Sequence, residues 1–80
     1  TPVLRGGRRF DLVFANILAE PLIALAPRLS CRVAPGGHVI LSGLLNSEKR
    51  TVRAAYLASG LKAHSALSCN GWTVLTLRRP

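Results

Sequence analysis

FDLVFANI, residues 10 to 17, is an almost unbroken apolar run, and Glu20-Pro21 follows after only two further residues. The run lacks the strict alternation of a half-exposed strand, so it reads as a parallel strand covered on both faces. Pro21 suits the first helical position, where an N–H has no intrahelical partner, and Glu20 complements the positive end of the helix dipole. A buried strand that turns at once into a helix is the first half of a β–α–β unit and directs the chain to an α/β fold. The helix extends to about Val33. Leu22, Leu25, Ala26, Leu29 and Val33 repeat at i, i+3 and i+4 on one buried face, with Arg28 and Arg32 late on another. Pro27 interrupts this pattern. An interior proline costs ~3 kcal/mol, which predicts a kink or a division into two short helices.

Ala34-Pro35-Gly36-Gly37 places Pro and Gly at the two central positions of a type II turn. A second buried strand, HVILSGLL from 38 to 45, follows directly. Asn46 or Ser47 can then cap another helix, with Glu48 in its first turn, Val52, Ala55 and Tyr56 on its buried face and Gly60 as its stop. The tail differs in kind. LKAHSALSC and WTVLTLRR flank Asn70-Gly71, the favoured dipeptide of a two-residue hairpin turn, so the last two strands are antiparallel neighbours. Residues 1–9 read as a polar, basic loop. At 80 residues the chain is one small domain, and such a domain buries only ~60% of the surface of its unfolded form. No apolar run approaches the ~18 residues of a membrane span. A chain with no Met that starts Thr1-Pro2 is expected to be a piece of a longer protein, and no secretory leader is visible.

Eleven Lys and Arg against three Asp and Glu give a net charge of +8, and nine of the eleven cations are Arg. Such a balance points to nucleic acid or another acidic partner, although no aromatic RNA-binding signature interleaves with the bases. Arg5, Arg8, Arg9, Arg28, Arg32, Arg78 and Arg79 tend toward one edge of the expected sheet, and Lys49, Arg50 and Arg53 toward the other. The larger group is open to RNA or a ribosomal partner, or is a solvated face balanced by acids elsewhere in the protein.

Ligands of open α/β sheets bind beyond the carboxyl ends of the parallel strands. Asn16 ends the first strand and Ser42-Gly43 lies near the end of the second, so both approach one edge. An amide there can accept a hydrogen bond from an amine without bringing charge into a dry pocket. Asn16 taken alone also fits a simple cap or turn residue. Asp11 lies ~16 Å away along the strand, too far for direct proton transfer, and helix starts explain Glu20 and Glu48. His38 and His64 have no second ligand or nucleophile at a diagnostic spacing. Cys31 and Cys69 match no metal-binding pattern and are expected as reduced thiols. No metal site, hydrolytic triad or phosphate loop is present, and no catalytic base can be named.

FDLVFANILAEPLIALAP, APGGHVILSGLL, AAYLASGL and GWTVLTLRRP together resemble the carboxyl-terminal half of the PrmA family, bacterial methyltransferases of a large-subunit ribosomal protein. The resemblance covers nearly all 80 residues; ANILA followed by PL and LSG is its most specific part. It implies a Rossmann-like class I methyltransferase fold whose last four strands, in a seven-stranded order 3-2-1-4-5-7-6, are present here as a partial domain. It implies S-adenosylmethionine as cofactor, with the main binding motif outside this chain, and a cytoplasmic enzyme that methylates lysine and amino-terminal amines. By resemblance Asn16 belongs to the cofactor and substrate pocket, Ile17 and Leu18 line it, and Ser42 and Gly43 approach it from the next strand. Methyltransferases of this fold that act on glutamine or nucleic acids typically carry Asn-Pro-Pro-aromatic where this chain has Asn16-Ile17-Leu18-Ala19. A basic RNA- or ribosome-binding module without catalysis is the rival from another class. The strand at 10–17 would ordinarily pair with a strand absent here, which predicts an apolar edge prone to self-association.

Overall fold

A computed structural model of the chain describes residues 9–80. The expected loop at 1–9, with Arg5, Arg8 and Gly6-Gly7, therefore lies outside the described residues except for Arg9. The elements are β1 (Phe10–Asn16), α1 (Ala19–Cys31), β2 (Val33–Leu45), a single 3-10 turn (Asn46–Glu48), α2 (Lys49–Ala58), β3 (Lys62–Cys69) and β4 (Trp72–Arg78). They form one four-stranded sheet in the order β1-β2-β4-β3. β1 and β2 are parallel, and both remaining pairings are antiparallel. This is the 4-5-7-6 portion of the expected order. Asn70 and Gly71 both take positive φ, 51° and 85°, as the tight turn between β3 and β4 requires.

Both helices cover the same face of the sheet, α1 packing on β2 and α2, and α2 on β3 and β4. The core gathers Val13 and Ala15 of β1, Leu22, Ala26 and Leu29 of α1, Val39, Leu41 and Leu44 of β2, Val52 and Tyr56 of α2, and Leu75 and Leu77 of β4. Tyr56 is fully buried, and its hydroxyl donates to the Leu22 carbonyl at 2.7 Å, tying the two helices together. Burial holds the Tyr56 phenol above its ordinary value of 10.0. The unfolded chain thus releases this proton before the folded one does. Stability from Tyr56 is complete below pH ~10 and falls as pH rises beyond it. Tyr56→Phe should cost about 1 kcal/mol at neutral pH and flatten the alkaline limb of a thermal-melt series; an unchanged alkaline limb would contradict this origin.

Several expectations need correction. β1 is covered on one face only among the described residues, and Phe10, Leu12 and Phe14 on its other face are exposed. Its apolar outer residues reflect a face that these 72 residues leave open. Helix α1 begins at Ala19, so Pro21 is its third residue, not its first. The first turn as a whole has no intrahelical acceptors for its N–H groups, so proline is tolerated throughout it. The helix ends at Cys31, and Val33 instead opens β2, fully buried and paired with Phe10. Pro27 neither ends nor divides α1, which runs 13 residues. It sits in the last turn and a half, where the one hydrogen bond it removes interrupts little of the ladder. β2 starts five residues early because residues 34–37 stay within the strand as an irregular segment. There the pairing with β1 jumps from Phe10↔Val33 to Leu12↔His38, and Gly36 takes the positive φ of 81° expected of its turn. Neither Asn46 nor Ser47 caps α2 by its side chain. Glu48 Oε1 instead accepts from the Leu45 N–H at 2.8 Å, and Asn46 Oδ1 accepts from the buried Thr73 hydroxyl.

Candidate functional site at the carboxyl edge of the parallel strands

β1 and β2 end side by side, with Asn16 paired to Ser42. One residue later β2 departs from regular pairing. Between Leu41↔Leu75 and Leu44↔Thr73, two residues on β2, Ser42 and Gly43, oppose the single Val74 on β4. Gly43 adopts φ +79° in this bulge, a conformation that side-chain-bearing residues rarely take. The space above Gly43 is filled by Asn16. A Cβ on Gly43 would stand 2.6 Å from Asn16 Oδ1 and 3.7 Å from the Ile17 carbonyl oxygen. The missing side chain and the asparagine are therefore parts of one arrangement: the glycine makes room, and the amide occupies it.

Asn16, Ser42 and Gly43 form one wall of an open groove of about 610 Å³. The other wall comes from the hairpin: Leu67 and Cys69 of β3, and Trp72, Thr73 and Val74 of β4. Among the described residues no charged side chain lines it. Ser42 Oγ is shielded from solvent and has no hydrogen-bond partner. Buried hydroxyls are nearly always satisfied, so an orphaned one in a groove wall beside an amide fits a polar ligand better than simple packing. Thr73 is satisfied from both sides, donating to Asn46 Oδ1 and lying 3.2 Å from Ser68 Oγ. It fixes the hairpin against the end of β2.

The structure brings three of the five expected site residues together. The other two face elsewhere. Ile17 is half-buried against the core, and Leu18, 74% exposed, lines a separate groove of about 640 Å³ with Glu20, Pro21, Ile23, Glu48 and Thr51. The hairpin residues were missed. The signal for them was available in Asn70-Gly71, because a tight turn there returns β4 to the very edge at which β2 ends. Trp72 follows that turn directly. Among the described residues no three His, Cys, Asp or Glu side chains are grouped to hold a metal, and no helix is long and apolar enough to cross a membrane.

A mixed sheet in this order, with an amide at the end of its first strand and a glycine bulge at the end of its second, narrows the kinship to be sought. Residues 3–80 match the family described as ribosomal protein L11 methyltransferase (PrmA). The chain belongs to the PrmA family. A Caulobacter protein named ribosomal protein L11 methyltransferase is 51% identical over 71 residues, covering 89% of this chain and 25% of that relative. The crystal structure of a ribosomal protein L11 methylase from Lactobacillus delbrueckii subsp. bulgaricus is 31% identical, with a TM-score of 0.82 over 89% of this chain and 37% of the other. A putative methyltransferase from Thermoplasma acidophilum has a TM-score of 0.77 at 11% identity, covering 95% of this chain and 41% of its own, and shares the fold alone. The chain spans about a quarter of the length of the curated PrmA relatives it matches.

Proposed function

We propose that this chain supplies the acceptor-side wall of an S-adenosylmethionine-dependent methyltransferase acting on lysine and amino-terminal amines of a large-subunit ribosomal protein, in the cytoplasm. The observation that carries the reading is the Asn16 amide seated over Gly43 at the end of β1, next to the orphaned Ser42 hydroxyl. S-adenosylmethionine, when bound, would supply the sulfonium methyl. Methyl transfer is an in-line displacement that mainly needs the amine lone pair held in line with that methyl. Asn16 can accept one hydrogen of a neutral amine and so aim its lone pair. The uncharged lining of the groove favours the neutral, nucleophilic form of the amine over the ammonium, since a charge there would be poorly solvated. Trp72, 53% exposed, offers an apolar surface to the methylene stem of a lysine.

Asn16-Ile17-Leu18-Ala19 favours this acceptor over planar amides and bases. In a full-length protein carrying this segment, Asn16→Ala should lower methyl transfer about 100-fold. Activity within threefold of the parent would rule out the role given to Asn16.

The 80 residues by themselves should not bind S-adenosylmethionine with the affinity of a full-length relative, because they furnish one wall of the pocket. Calorimetric titration of both, yielding comparable affinities, would refute this. Among the described residues β1 is an edge strand of the sheet, and its own Phe10, Leu12 and Phe14 are exposed. The isolated chain should therefore self-associate at high concentration, and a monomeric sedimentation profile there would count against it.

A further inference from the structure

We propose that Asn46 and Thr73 are positioning residues for the methyl acceptor: they clamp Trp72 in the wall of the Asn16 groove and so set how tightly the acceptor is held, an inference that rests on reading this groove as the acceptor site. Asn46 reaches both chain neighbours of Trp72. Its backbone N–H donates to the Gly71 carbonyl at 2.9 Å, and its Oδ1 accepts from the Thr73 hydroxyl. Leu45, immediately before it, pairs with Trp72 itself. Asn46 is held in turn by the 3-10 turn that it opens, where Glu48 Oε1 accepts from the Leu45 N–H at 2.8 Å. On the far side of Thr73, Ser68 Oγ lies 3.2 Å from its hydroxyl oxygen. A hydroxyl has one proton to donate, and Thr73 gives its own to Asn46, so Ser68 donates to Thr73. The chain Ser68–Thr73–Asn46 thus runs in one direction across β3, β4 and the end of β2, and bonds in such a chain strengthen one another.

Apolar packing within the segment does not fix this wall. Every residue from Leu67 to Trp72 is exposed among the described residues, and the first buried residue of the returning strand is Thr73. The side of the groove that faces Asn16 therefore hangs on the polar contacts of one fully buried threonine. Those bonds are all made inside the segment and do not depend on what else covers the sheet. The opposite wall is held separately, since Asn16 pairs with Ser42 and fills the space over Gly43. The two walls therefore have separable effects. Asn16 aims the amine, whereas Trp72 bears on its stem equally before and during transfer. Loss of such uniform binding raises KM and leaves kcat unchanged.

The test uses the full-length protein carrying this segment, labelled with 5-fluorotryptophan, the fluorine line of residue 72 being identified by its loss in Trp72→Phe. Thr73→Val removes the donor, Asn46→Ala removes the acceptor at an exposed position, and Thr73→Ser keeps the hydroxyl. Thr73→Val and Asn46→Ala should each shift or broaden the residue-72 line and raise KM for the protein acceptor about tenfold, with kcat and the KM for S-adenosylmethionine within about twofold of the parent. Trp72→Ala should match that rise in acceptor KM, and Thr73→Ser should keep both the line and a KM within about threefold of the parent. A fluorine line unmoved by Thr73→Val and Asn46→Ala, an acceptor KM unmoved by them while Trp72→Ala raises it, or a Thr73→Ser variant as impaired as Thr73→Val would each overturn the clamp and leave the groove standing. An acceptor KM unmoved by Trp72→Ala would instead overturn the groove's role, and the clamp's with it.

Discussion

Gly43→Ala in a full-length protein carrying this segment should reduce methyl transfer by about 100-fold or more. The added methyl would stand 2.6 Å from Asn16 Oδ1, well inside van der Waals contact, so the amide must move. A displacement of about 1 Å of a group that aims a reactant is enough for a 100-fold loss. The same change also strains a residue at φ +79°, at about 1 kcal/mol. Gly36→Ala separates the two effects. Gly36 has a nearly identical φ of +81°, yet a Cβ there meets nothing within 4 Å, and it lies at the far edge of the sheet. Both variants should show similar small losses in melting temperature, and only Gly43→Ala should lose activity. Equal activities in the two would mean that Gly43 serves the bulge alone and does not hold Asn16.

Leu41→Ala should unfold the isolated chain or bring it to the edge of unfolding. Leu41 lies in the middle of β2, fully buried and facing the helices. Truncating such a leucine costs about 2–5 kcal/mol, the range reflecting how far the cavity collapses. An 80-residue domain has a total margin of about 4–12 kcal/mol at 0.05–0.15 kcal/mol per residue. A single leucine-to-alanine cavity is therefore a large share of what holds these two layers together. Ile40, its neighbour on the open face, is only partly covered. Ile40→Ala should change the stability of the isolated chain by less than about 1 kcal/mol. In the full-length protein it should cost at least twice as much, because we expect the remaining chain to cover that face. Urea melts of the two variants, in both lengths, compare these four values directly; a costly Ile40→Ala in the isolated chain would mean that the open face is already packed.

The two helical segments show how far local signals carry. Pro21, Glu20 and the periodic leucines announce α1, and Leu22, Ala26 and Leu29 do face the core. Its ends were less legible, since proline is acceptable at any of the first three helical positions and Val33 continues the helical period while serving a strand. What decided Val33 was its pairing with Phe10, a partner 23 residues away that no local window contains. The same limit explains the site. Asn16, Ser42 and Gly43 could be grouped because each ends a strand of the same parallel pair. Leu67, Cys69 and Trp72 were missed because the Asn70-Gly71 turn gives the hairpin, while its placement with β4 beside β2 comes from the sheet order.

By itself the sequence determined the order of strands and helices, the hairpin at Asn70-Gly71, the candidate amide and kinship with PrmA, because these depend on short-range patterns and turn chemistry. Only the tertiary structure decided that both helices share one face, leaving Phe10, Leu12 and Phe14 bare on the other. It alone seated Asn16 over the bulge glycine, and brought His38 against His64 across β4. Each of those facts depends on which residues cross the sheet to meet one another, and that follows from strand order and register, not from neighbours in the chain.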